Sequence, residues 1–194
     1  MASSGGVLEI VDWIQSRTRE NLIIGIDGYG GSGKSTLAAR IGDHISLTEV
    51  VSYDDLYLPE NLRPDFLASP LGIADAYDWQ ALQNGVLGPF RHGVTCEYPV
   101  LDWDTQERST ATVSANTRIL IVEGVSCMRP ELRELYDFRV WVHAPYEVRL
   151  ARGITRDGEE MRGEWVERWM PAEEIYLNAC NPESQVHLSV EGTT

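Results

Sequence analysis

The stretch Gly25 to Thr36, GIDGYGGSGKST, constrains the fold of this chain more than any other. Gly28, Gly33, Lys34 and Ser35 stand at the spacing G-x-x-x-x-G-K-[ST]. The apolar run Leu22 to Ile26 precedes them, and Leu37, Ala38, Ala39 and Ile41 follow at helical spacing. Strand, glycine loop and helix in that order form the context a phosphate cradle requires. Glycines let the backbone turn tightly and aim successive N–H groups inward, and the helix N-terminus adds the positive end of its dipole. Gly28, Gly30, Gly31, Ser32, Gly33, Lys34, Ser35 and Thr36 are therefore expected to hold a nucleotide triphosphate. Lys34 would neutralise its β- and γ-phosphates, and the Ser35 hydroxyl would ligate Mg²⁺.

Any such phosphate must be held locally, because the chain as a whole repels anions. Its 194 residues carry a formal net charge of −14, which disfavours nucleic acid and anionic membrane surfaces as partners. The length suits one α/β domain with an inserted lobe. Three separated cysteines, Cys96, Cys127 and Cys180, make no C-x-x-C pair, so neither a disulfide framework nor a thiolate zinc site is predicted. The four histidines are scattered. The N-terminus MASSGGVLEIVDW lacks the pattern of a secretory leader, and no apolar run approaches the ~20 residues needed to cross a bilayer. A cytoplasmic protein is expected.

Hydrophobic periodicity predicts a helix over 7–19, a strand over 21–27, a helix over 35–45 and a strand over 49–53 that runs into Asp54 and Asp55. From Leu56 to Asn116 the alternation breaks down, punctuated by Pro59, Pro64, Pro70, Gly72, Pro89, Gly93 and Pro99, with one helix from about Trp79 to Gly85 and extended pieces near 95–103 and 110–113. So long an irregular insertion is usually functional, and it is read as the lobe that receives an acceptor. Buried strands follow at 118–124 and 138–144. Pro145 is placed to open a helix, a second helix covers 164–177, and a last strand covers 185–190. Five parallel strands with crossover helices predict a three-layer α/β fold.

The strand at 118–124, RILIVEG, ends in Glu123, an acid placed to face the metal. Arg149, Arg152 and Arg156 recur at three- and four-residue intervals, on one helical face. Arginine forks match phosphate oxygens, and a mobile segment can deliver them; residues of about 149–164 are read as that lid. Asp54 closely follows the second strand and is placed to accept a hydroxyl proton or align the attacking oxygen. Cradle, strand-end acid, inserted lobe and arginine stripe together favour an ATP-dependent transfer of phosphate to a small hydroxylated substrate. A nucleotide-hydrolysing regulatory switch is the alternative from another class.

At this point the chain resembles a known family. GIDGYGGSGKST, VVSYDDLY, AYDW, EYPVLDW, RILIVEG and RLARGITRD stand in order from about Leu22 to Asp157, and together they look like the uridine kinase and phosphoribulokinase group of P-loop kinases. The resemblance implies the P-loop NTPase fold, ATP with Mg²⁺, and a catalytic base at Asp54. It further places Tyr57 beside the acceptor, Asp102, Trp103 and Arg108 in the segment that contacts the nucleoside, and Arg149, Arg152 and Arg156 on the lid. The chain departs from the pattern at three places. Gly72 aligns with the aspartate that meets the ribose hydroxyls, with Asp75 nearby, and Leu101 and Gln106 replace the base-reading tyrosine and histidine. A pocket built around a phenol hydrogen bond discriminates strongly by it. Another alcohol, such as pantothenate or a sugar, is thus a second expectation for the acceptor.

Overall fold

The computed structural model describes residues 4–192; the first three residues of the N-terminal stretch lie outside the described residues. Helix α1 (Ser4–Gln15) leads into β1 (Leu22–Gly28), the glycine loop, α2 (Lys34–Gly42) and β2 (Thr48–Ser52). The next segment holds α3 (Trp79–Ala81), α4 (Gly88–Arg91) and the hairpin of β3 (Cys96–Leu101) and β4 (Arg108–Val113). Then come β5 (Ile119–Glu123), β6 (Phe138–His143), α5 (Tyr146–Asp157), α6 (Met170–Cys180) and β7 (Leu188–Glu191).

The five expected strands form one parallel sheet in the order β2-β5-β1-β6-β7. All seven residues of the central strand, β1, are buried, as a strand covered on both faces requires. Alternate side chains serve opposite layers. Leu22, Ile24 and Ile26 pack with Ile10 of α1 and Leu37 and Ile41 of α2, whereas Ile23, Leu120, Val122 and Trp141 pack with Ala172 and Tyr176 of α6 and with the inserted segment.

The structure moves several expected boundaries. Helix α1 stops at Gln15 rather than Arg19, where the Ser16 hydroxyl donates to the Trp13 carbonyl at 2.7 Å. Pro145 precedes α5 instead of opening it. Pro182–Gln185 forms a 3₁₀ turn, so the last strand begins at Leu188. The helix expected to end near Gly85 runs on to Arg91 through a π-helical stretch, Leu82–Leu87, and a second such stretch, Glu164–Trp169, leads into α6. Each π segment ends just before a proline, Pro89 or Pro171. A carbonyl four residues ahead of a proline has no amide to accept from, and the wider turn passes it to the next residue.

The hairpin pairs Tyr98 with Ala111 and stands outside the main sheet. Among the described residues no helix is long and apolar enough to cross a membrane, and Cys96, Cys127 and Cys180 are buried free thiols.

Candidate active site

The glycine loop lies at the carboxyl end of the central strand, where open parallel sheets place their ligands. Its backbone doubles back through a Ser32 N–H to Tyr29 carbonyl bond of 3.2 Å. Gly31 has φ +72°, and a Cβ there would stand 2.6 Å from the Arg149 carbonyl oxygen, so only glycine keeps the loop this tight against α5. Lys34 is buried and its Nζ donates to the Tyr29 carbonyl at 2.8 Å. The cradle has the shape and the amide and ammonium donors that a triphosphate demands.

Strand register brings the acids to the loop. Glu123 lies opposite Ile26 of β1 and opposite Ser52 of β2, two residues before Asp54. The Ser35 hydroxyl donates to Glu123 Oε1 at 3.0 Å. Burial pushes the Glu123 carboxyl above its usual range, with Asp54 and Asp55 adding to the rise and Lys34 and Ser35 opposing it. Asp54 is half-buried in the 3₁₀ turn Tyr53–Leu56, and Tyr77 donates its hydroxyl to Asp54 Oδ1 at 3.1 Å. Among the described residues no three His, Cys, Asp or Glu side chains gather as a metal cluster. The Ser35 hydroxyl and the Glu123 carboxylate, 3.0 Å apart, are hard oxygen donors of the kind Mg²⁺ takes, one or two from a protein with phosphate and water filling the rest of its shell.

A cleft of about 270 Å³ joins these groups. Gly30, Gly31, Gly33, Lys34, Ser35 and Thr36 of the loop line it together with Asp54, Glu123, Tyr57, Tyr77 and Trp103. Gly28 and Ser32 stand behind the lining, as part of the loop's frame.

The three arginines do not share one environment. Arg152 and Arg156 line the cleft, Arg152 donating to the Gly31 carbonyl at 3.1 Å and Arg156 pairing with Asp157 at 2.6 Å. Arg149 is buried outside the lining, 3.8 Å over the Tyr29 ring and 3.1 Å from Glu173. Glu173 escaped the sequence reading, since nothing local in α6 signals that it meets a loop 143 residues earlier.

Asp27 also escaped it, although a carboxylate inside the apolar run LIIGID is a visible anomaly. It is fully buried and accepts four hydrogen bonds. Oδ1 takes the N–H groups of Gly28 at 2.7 Å and Ser126 at 2.8 Å, and Oδ2 takes Met128 N–H at 3.0 Å and the Tyr176 hydroxyl at 2.7 Å. Burial raises its carboxyl pKa, against the pull of these donors and Lys34. One side chain thus pins the loop to the turn after β5 and to α6.

On the acceptor side, Tyr57 and Trp103 stack with ring centres 4.9 Å apart and an interplanar angle of 28°. The other expected acceptor residues do not line the cleft. Asp102 accepts from the N–H groups of Asp104 and Thr105 at 3.0 and 2.8 Å, closing the hairpin turn that carries Trp103. Arg108 pairs with Asp78 at 3.0 Å. Asp75 takes the Ser69 hydroxyl and lies 3.6 Å from Arg129. Gly72, with φ +57°, packs so close to α6 that any Cβ would collide with the Ala172 carbonyl. Leu101 is buried. Gln106 is spent internally, accepting from Glu60 N–H and Arg63 and donating to the Trp103 carbonyl.

Comparison with known proteins gives the family and the fold. The model of the "Phosphoribulokinase / Uridine kinase family" matches residues 23–175. A uridine kinase from Macrococcus caseolyticus is 34% identical over 172 residues, covering 82% of this chain and 78% of its own. A uridine kinase from Clostridium botulinum is 31% identical over 152 residues, covering 75% and 73%. The solved structure of a possible uridine kinase from Bacillus stearothermophilus superposes with a TM-score of 0.73 at 22% identity, covering 94% of this chain and 96% of that one; it supports the fold. The chain belongs to the phosphoribulokinase and uridine kinase family, and it is a small-molecule kinase of the P-loop fold.

Proposed function

We propose that this kinase moves the γ-phosphoryl group of ATP to a hydroxyl of a nucleoside or comparably small metabolite. The observation that carries the reading is Asp54, which shares one cleft with the phosphate loop and with the aromatic side chains Tyr57, Tyr77 and Trp103. The acceptor hydroxyl attacks the γ-phosphorus, its proton passes to Asp54, the new O–P bond forms, and the bond to the β-phosphate oxygen breaks to release ADP. Tyr77 donates to Asp54 Oδ1, which leaves Oδ2 to accept that proton. Lys34, Arg152 and Arg156 take up the charge of the transferring group. Ser35 and Glu123 would hold Mg²⁺, which when bound neutralises charge on the β- and γ-phosphates.

Tyr57 and Trp103 grip the acceptor, and Asp75, Asp102 and Arg108 act at one remove by fixing the segment that presents them. Residues 1–194 are read as one catalytic unit with an acceptor lobe at about 56–116 and a lid at about 149–164, working in the cytoplasm. Trp103 is 49% exposed and costs little to remove from the fold. Trp103→Ala is expected to raise the acceptor KM about tenfold while leaving the ATP KM within about twofold, since one stacking contact is worth ~1–3 kcal/mol. Steady-state kinetics with each substrate varied in turn checks this.

The relatives' names favour uridine. Buried Leu101, the internally bonded Gln106 and the filled space at Gly72 favour a different alcohol, pantothenate or a sugar. Incubation with Mg·ATP and a panel of nucleosides, sugars and pantothenate, with ADP and the phosphorylated product both measured, decides between them. ADP release that no acceptor stimulates would point instead to a nucleotide-dependent switch.

A further inference from the structure

Glu173 does something no sequence motif announces: it occupies the phosphate cradle with a carboxylate. Its Oε1 accepts the Gly30 N–H at 2.8 Å, and its Oε2 accepts from Arg149 Nη1 at 3.1 Å. The side chain is 3% exposed, yet it lines the same cleft as Lys34. The groups that face it are Lys34 and the Tyr29 ring from the loop, Arg149 from α5 and Glu174 beside it on α6. Trp165 lines the same part of the cleft.

An anion that enters this cradle meets an anion already there. We propose that Glu173 is a positioning residue for nucleotide capture, and that the terminal phosphate, on binding, drives a proton from solvent onto its carboxylate. The inference rests on reading the loop as the triphosphate site. Lys34, which in this motif reaches the β- and γ-phosphates, also offsets the charge of Glu173. A bound phosphate claims that lysine and adds like charge, and both effects favour the neutral acid. Burial has already pushed the carboxyl up to about 7, so a modest further rise protonates it at neutral pH. The neutral acid still offers an oxygen to Gly30 N–H and no longer neutralises Arg149, whose Nε is buried without a partner. Arg149, which lies outside the cleft lining, stays over the Tyr29 ring, and the loop keeps its shape.

The test is calorimetric titration of the intact protein with Mg²⁺ and a non-hydrolysable ATP analogue. It is run between pH 7.5 and 9, in pairs of buffers that differ in ionisation heat, with ADP and Glu173→Gln as comparisons. Wild type is expected to take up protons on binding the ATP analogue, and its affinity to fall toward high pH by up to about tenfold for each unit the phosphate raises the carboxyl. ADP should show a smaller slope, and Glu173→Gln a flat one. Equal proton uptake and slope in wild type and variant would overturn the proposal. If the variant does not fold, infrared difference spectra of wild type labelled at glutamate replace it: a carboxylic-acid carbonyl band that appears with the ATP analogue supports the proposal, and its absence overturns it. Tight binding without proton uptake removes the role of Glu173 alone, whereas no nucleotide binding at all removes the phosphate-site reading beneath it.

Discussion

Asp54→Asn is expected to lower kcat by ~10²–10⁴-fold, the usual worth of a positioned general base, with the KM for ATP nearly unchanged. The amide keeps an oxygen for the Tyr77 hydroxyl, which is 3.1 Å from Oδ1 in the native protein. The turn that carries residue 54 should therefore survive, and the loop that grips phosphate is untouched. What the amide cannot do is take the acceptor's proton. Single-turnover kinetics at saturating ATP and acceptor isolates that step. A loss of less than about tenfold would show that Asp54 only aligns the hydroxyl, and that the proton leaves by another route.

The second large effect falls on stability. Asp27→Ala is expected to destabilise the protein by about 3–5 kcal/mol, because it strands four buried donors that now share one carboxylate. Each orphaned donor costs ~1–3 kcal/mol, partly relieved by relaxation. Asp27→Asn should cost less, since its amide still accepts on one side and the Tyr176 hydroxyl can turn to accept on the other. Urea unfolding of both variants measures the difference. Equal stability of the alanine variant and wild type would mean that water replaces the carboxylate, and the brace would then have no structural weight.

The donor half of the site was legible because its chemistry is written in adjacent residues. Loop, lysine and serine fall within nine positions of one another, and the apolar runs around them mark strands buried on both faces. Glu123 was legible for the same reason, an acid that ends a run of buried aliphatics. The arginines were half legible. Helical spacing put Arg149, Arg152 and Arg156 on a common stripe, but spacing carries no information about what stands opposite, and Glu173 and Tyr29 draw Arg149 away from the cleft. Contacts across more than a hundred residues leave no local trace. The acceptor side was least legible, since Gly72 and Gln106 gain their meaning from α6 and from Arg63. The π-helical stretches were hidden too, although the prolines behind them were in view.

The long sequence separations within the Asp27 and Glu173 contacts bear on the order in which the loop is completed during synthesis. Tyr176 bonds Asp27 across 149 residues, and Glu173 holds Gly30 across 143. At a synthesis rate of ~5–20 residues per second, several seconds pass between translation of the loop and translation of the helix that completes it. During that interval the nascent chain owns the phosphate-binding sequence without the two carboxylate contacts from α6 that stiffen it. A nascent chain that stops before Met170 lacks both of these braces, and its loop is expected to hold a nucleotide more weakly than that of the folded protein.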